Sequence, residues 1–148
     1  MSQAANHEAD SSAGDAAHPG ARGQGVRVAD IEQGWTFDHI DLYDTARPDR
    51  IRRVYGLNQA YMGHGTAVLG ILAARDDGRG CTGAVPEAEF PCYSIIEDSG
   101  WDLPLQWAID AAVFGVHPLT ALKGEATGAL GGPLPAGVQP LRKGDILL

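Results

Sequence analysis

The apolar positions of this chain fall into short, dense runs set apart by polar or glycine-rich stretches. Gly25-Val26-Arg27-Val28-Ala29-Asp30-Ile31 has the β-branched density of a buried parallel strand, and Glu32-Gln33-Gly34 ends it in a turn. From 67 to 74 every position except Gly70 is apolar, which predicts a helix buried on most of its sides. A further strand is expected between 89 and 96. Leu105, Ala108, Ile109 and Ala112 share one helical face, so 103–113 should lie on the sheet as an amphipathic helix, with Asp102 as N-cap and Pro104 in the first turn. Between 43 and 59 the chain is polar. Arg47, Arg50, Arg52 and Arg53 cluster around Pro48 with Asp41, Asp44 and Asp49 nearby, and the expectation is a solvated loop with a short strand at 52–55. Gly144-Asp145-Ile146-Leu147-Leu148 starts another buried strand, inside which the chain stops.

These runs predict an α/β fold, a partial doubly wound and mostly parallel sheet with helices on both faces. Two stretches stand apart. Residues 1–22 carry Ala, Ser, Gly, Asp and His without an apolar run and read as a flexible tail ahead of a domain at 23–148. From 115 to 144 the composition shifts to Gly, Pro, Ala and Leu without periodicity, as in a long loop or insertion.

Composition narrows the partners. A net charge of −8 over 148 residues, with no basic patch, argues against a nucleic-acid backbone. No segment has the basic-then-apolar order of a secretory signal and none is long enough to span a bilayer, so the chain as written reads as cytoplasmic by default. Cys81 and Cys92 form no disulfide framework and are expected as free, buried thiols.

Chemistry concentrates at Met62-Gly63-His64-Gly65-Thr66, where an imidazole sits between two glycines at the mouth of the apolar helix. Glycine on each side lets the backbone turn tightly and approach a ligand. Catalytic groups in open α/β sheets gather beyond the carboxyl ends of the strands, which is where Glu32 lies. Asp30 interrupts an otherwise apolar strand and needs a partner if buried; its side chain points to the same face as Glu32 and Val28.

Taken together, Glu32-Gln33-Gly34, His39-Ile40-Asp41-Leu42, His64-Gly65-Thr66 with its small-residue helix, Gly83-Ala84-Val85-Pro86 and Trp107-Ala108-Ile109 resemble the motifs of the subtilisin-like serine proteases, in the same order. The resemblance covers about 25–113 and 145–148 and identifies the chain as the N-terminal part of such a catalytic domain. Glu and Gln depart from the usual Asp and small polar residue at the end of the first strand. The resemblance implies a serine endopeptidase in which Glu32 orients His64 and His64 takes the proton of a serine. The Gly after Gln33 favours Glu32 as that acid, with Asp30 as its rival or as an acid behind it. Gly100 is implied at the edge where relatives pair with bound peptide. Asp41 and Asp77 fall where calcium-binding relatives place oxygen ligands; two acids do not make a site of six to eight oxygens, so no cofactor is expected.

The nucleophile is missing. The serines are Ser2, Ser11, Ser12, Ser94 and Ser99, none in a Gly-Thr-Ser setting, and the oxyanion Asn has no counterpart. The chain alone is therefore expected to be inactive, with peptide or protein substrates only if a downstream half completes it. Two other readings stand beside this one: a non-catalytic α/β module that binds peptide or ligand at the same crevice, and a metal-assisted hydrolase using His39, Asp41 and His64, which lack a familiar ligand spacing.

Overall fold

The computed structural model describes residues 21–59, 61–96, 104–115 and 139–148. Among these residues four strands, β1 (Val28–Glu32), β2 (Ile51–Tyr55), β3 (Phe90–Ser94) and β4 (Ile146–Leu147), form one sheet in the order β2-β3-β1-β4. Every pairing is parallel. Asp30 is in register with Cys92 and Glu32 with Ser94, while Val28 pairs with Ile146. The helices among the described residues are α1 (Met62–Ala73) and α2 (Leu105–Phe114).

Strand alternation divides the core in two. Val28, Ile51, Phe90 and Cys92 face one side, where they pack with Leu69 and Ala73 of α1 and with Trp35 and Leu42. Ala29, Val54, Tyr55 and Tyr93 face the other, against Ala108, Ala111 and Ala112 of α2. A helix therefore covers each face of a parallel sheet, the arrangement the apolar runs predicted. The small residues on α2 allow its axis to come close to the sheet. Gly115, with φ 71°, then ends this helix, its N–H bonding to the Ala111 carbonyl.

Four expectations need correction. α1 is apolar nearly all round, yet only Gly65, Leu69 and Ala73 are buried, and Ile71 is 70% exposed. Composition reports which faces could be buried; the described elements cover only one. β4 was expected buried, but it pairs only with β1 at the sheet edge and its side chains are exposed. Cys81 is exposed rather than buried, while Cys92 is buried as expected; both are free. Arg50 is no solvated loop residue. It is 5% exposed and donates to the Ala73 carbonyl at the C-terminal end of α1, where the helix dipole favours a cation. Its neighbours do pair at the surface, Arg47 with Asp44 and Glu87, and Arg52 with Asp49.

Arg22, at the end of the expected tail, pairs with Asp76, and its carbonyl accepts from Glu87. At the far end of the loop expected at 115–144, Arg27 holds the returning chain, donating to the carbonyls of Gln139 and Pro140 and pairing with Asp145. The rest of that loop, 116–138, lies outside the described residues, as do 1–20, Gly100 and Asp102; the N-cap of α2 is Pro104, which was expected in the first turn, and not Asp102. No described helix is long and apolar enough to cross a membrane.

Candidate active site

The carboxyl ends of β1 and β3 and the first turn of α1 enclose the site. Glu32 is the last residue of β1, and His64 is the third residue of α1. His64 Nδ1 lies 2.8 Å from Glu32 Oε1. A carboxylate accepts only, so Nδ1 carries the proton and Nε2 is left as the basic atom. The imidazole side chain is 77% exposed and the Glu32 side chain 18%, so the base faces solvent while its acid is held back in the strand end.

Asp30 lies behind this pair and does not hydrogen-bond to His64. It is fully buried, its Oδ2 accepts the Trp35 indole N–H at 2.7 Å, and Oδ1 has no hydrogen-bond partner. Burial raises its carboxyl to about 6; the Trp35 hydrogen bond opposes that, the Glu32 charge adds to it and His64 opposes it.

The turn after β1 is bolted to α1. Asn58 clamps the Trp35 main chain, accepting its N–H at 2.7 Å and donating to its carbonyl at 2.8 Å. The Thr36 N–H donates to the Thr66 hydroxyl, which in turn donates to the Met62 carbonyl. Sequence reasoning missed both Asn58 and Trp35. A polar residue in a polar loop carries no signal, and a lone Trp after a glycine reads as ordinary core.

Ser94 is the one serine among the described residues. It is buried opposite Glu32; its hydroxyl donates to the Gln33 carbonyl and accepts from the Ile96 N–H, so it is committed to holding the strand end. Ser2, Ser11, Ser12 and Ser99 lie outside the described residues.

His39 and Asp41 line a cleft of about 340 Å³ beside α1 with Thr36, Gly63, Thr66 and Cys81. Asp41 accepts a weak hydrogen bond from the Cys81 thiol at 3.5 Å. Asp77 is ion-paired with Arg75 at 2.7 Å, and the same guanidinium donates to the Ile40 carbonyl. The Arg75 guanidinium thus lies between an Asp77 carboxylate oxygen and the Ile40 carbonyl oxygen. No three His, Cys, Asp or Glu side chains among the described residues are grouped to hold a metal. A more polar cavity of about 400 Å³, lined by Arg27, Arg50, Arg52 and Glu89 among others, lies at the amino ends of the strands, away from Glu32 and His64.

No family model matches the chain. It is 34% identical over 93 residues to the Aeromonas extracellular serine protease of Aeromonas sobria, covering 60% of this chain and 15% of that protein. It is 28% identical over 124 residues to the intracellular serine protease of Paenibacillus polymyxa (76% and 35%) and 26% identical over 126 residues to the major intracellular serine protease of Bacillus subtilis strain 168 (77% and 36%). Among solved structures it is similar to a psychrophilic subtilisin-like protease of Pseudoalteromonas sp. AS-11, with 23% identity and a TM-score of 0.47, covering 68% of this chain and 25% of that one. The chain spans 15% to 36% of the length of these curated relatives.

Proposed function

The chain is a partial relative of the subtilisin-like serine proteases, and on that premise we propose that it supplies the acid and base of a peptide-hydrolysing triad whose nucleophile lies outside these 148 residues. His64 Nε2 takes the proton of that serine as it attacks the scissile carbonyl of a peptide or protein substrate, then returns it to the leaving amine. Glu32 holds Nδ1–H and stabilises the imidazolium. The observation that carries this reading is the 2.8 Å contact between the two side chains at the carboxyl end of β1.

The missing serine decides what the chain does alone. In subtilisin the measured loss on removing the nucleophile is about two million-fold in turnover, roughly 8 to 9 kcal/mol of transition-state stabilisation. Ser94 is buried and committed, so no described group replaces it. The isolated chain turns over no peptide, and a fluorophosphonate serine probe does not label it. Joined to the coding sequence that follows it in the genome, it gains peptidase activity that His64→Ala abolishes and Glu32→Ala lowers by orders of magnitude. Labelling of the isolated chain that survives every Ser→Ala change but one would refute the reading and identify the nucleophile.

The buried, committed Ser94 also favours a second reading, a module that binds peptide at this crevice without cutting it. Peptide would then raise the melting temperature of the isolated chain while remaining intact.

A further inference from the structure

Resting on the acid–base reading of Glu32 and His64, we propose that Asp30 and Trp35 are positioning residues: the buried carboxylate holds the indole as a wedge against α1, and the wedge seats the His64 ring on Glu32.

The first turn of α1 has little support of its own. Its N-cap is Tyr61, in the left-handed region at φ 49°, and no side chain caps the exposed N–H groups. Gly63 and Gly65 flank His64 inside that turn, adding backbone freedom where the imidazole has to be fixed. The order must come from a tertiary contact, and the turn after β1 provides one. A Cβ at Gly65 would lie 2.5 Å from the Gly34 carbonyl oxygen and 2.8 Å from Cδ1 and Nε1 of Trp35. The indole therefore packs where Gly65 has no side chain, one residue from His64.

The indole has one orientation. Its ring stacks on Phe37 at 5.5 Å, Asn58 fixes its main chain from both directions, and Asp30 takes its N–H. A buried indole N–H needs an acceptor, and Asp30 is the group that meets it. The groups that bear on Asp30 electrostatically are Glu32 on its own strand, His64 from α1 and Cys92 from β3. None of them hydrogen-bonds to it, so its one directional contact is with Trp35.

The tautomer of neutral His64 separates this role from a direct effect of the Asp30 charge. Pairing with Glu32 makes Nδ1–H the majority form, whereas a ring released from Glu32 reverts to mainly Nε2–H; a distant charge does not choose between the two nitrogens. Ring ¹⁵N shifts of the neutral imidazole, read in the 148-residue chain, give the ratio.

Trp35→Phe keeps a ring but loses the N–H, and is expected to turn the Nδ1–H form from majority to minority. Asn58→Ala loosens the clamp and moves the ratio the same way to a smaller extent, which serves if Trp35→Phe does not fold. Asp30→Asn keeps an acceptor oxygen and should retain the wild-type ratio. An unchanged ratio in both Trp35→Phe and Asn58→Ala overturns the proposal, as does a loss in Asp30→Asn equal to that in Trp35→Phe. Glu32→Ala isolates the underlying reading: if it leaves the ratio unchanged the acid–base pair itself fails, and if it alone changes the ratio only the wedge fails.

Discussion

Trp35 and Gly65 meet edge to backbone, the indole Nε1 occupying space that any side chain at 65 would claim. Neither the Gly34 carbonyl nor the stacked indole is a flexible end that can swing away. Gly65→Ala should destabilise the chain by about 1–3 kcal/mol through overpacking. Gly70 lies in the same helix with open space around it, so Gly70→Ala should stabilise by about 0.5–1 kcal/mol through helix propensity. Thermal melts of the two variants should move in opposite directions; a neutral Gly65→Ala would show that the contact yields.

Asp30 should make stability fall as pH rises. Burial raises its carboxyl from 3.8 to about 6, so between those values the folded state holds a proton that the unfolded state has released. The folded state is unpenalised below the unfolded value and loses stability up to the folded one, by an amount on the order of 3 kcal/mol. Asp30→Asn should therefore be more stable than the parent at pH 7, with the difference vanishing near pH 4. Urea titrations at the two pH values would check it, and a constant difference would contradict it.

Asp145 should behave in the opposite sense. Burial alone pushes its carboxyl up, but the Arg142 N–H and the side chain and N–H of Arg27 outweigh that and hold it below its usual value. Its contribution is full above the unfolded value of 3.8 and is lost as pH falls through the lower folded one. Asp145→Asn should cost about 1.5–3 kcal/mol at pH 7, the usual range for a hydrogen bond to a charged group, and less in acid. Amide exchange at Ile146 and Leu148, whose N–H groups bond to Arg27 and Ala29, should accelerate first.

The bare face of α1 and the β4 edge should drive association. Ile71, Ile146 and Leu148 are exposed, and among the described residues no strand pairs with the outer side of β4. Ile71→Glu combined with Ile146→Lys should lower the weight-average mass seen by sedimentation at high concentration. An unchanged mass would show that these surfaces do not self-associate.

Residues that act through their neighbours in sequence were legible in the chain. The β-branched run into Glu32, the small-residue helix after His64 and the apolar positions Ala108 and Ala112 specify strand and helix through local periodicity, and a sheet with helices on both faces follows from their order; Leu105, expected on the same face, is 56% exposed. His-Gly-Thr and the acid before a glycine carried the resemblance to the subtilisin-like proteases, because short, contiguous motifs can be read without the fold. The partners of each group depended on the tertiary fold. Asp30 and Glu32 lie on one strand two residues apart, and only the docking of α1 puts His64 on Glu32 and leaves Asp30 to Trp35. Asn58 and Arg50 sit in a stretch that reads as solvated loop, and they became a clamp and a buried helix-end donor because distant segments came to them. Burial of α1 and β4 was decided in the same way: an apolar side chain can be covered, but whether it is covered depends on which elements pack beside it.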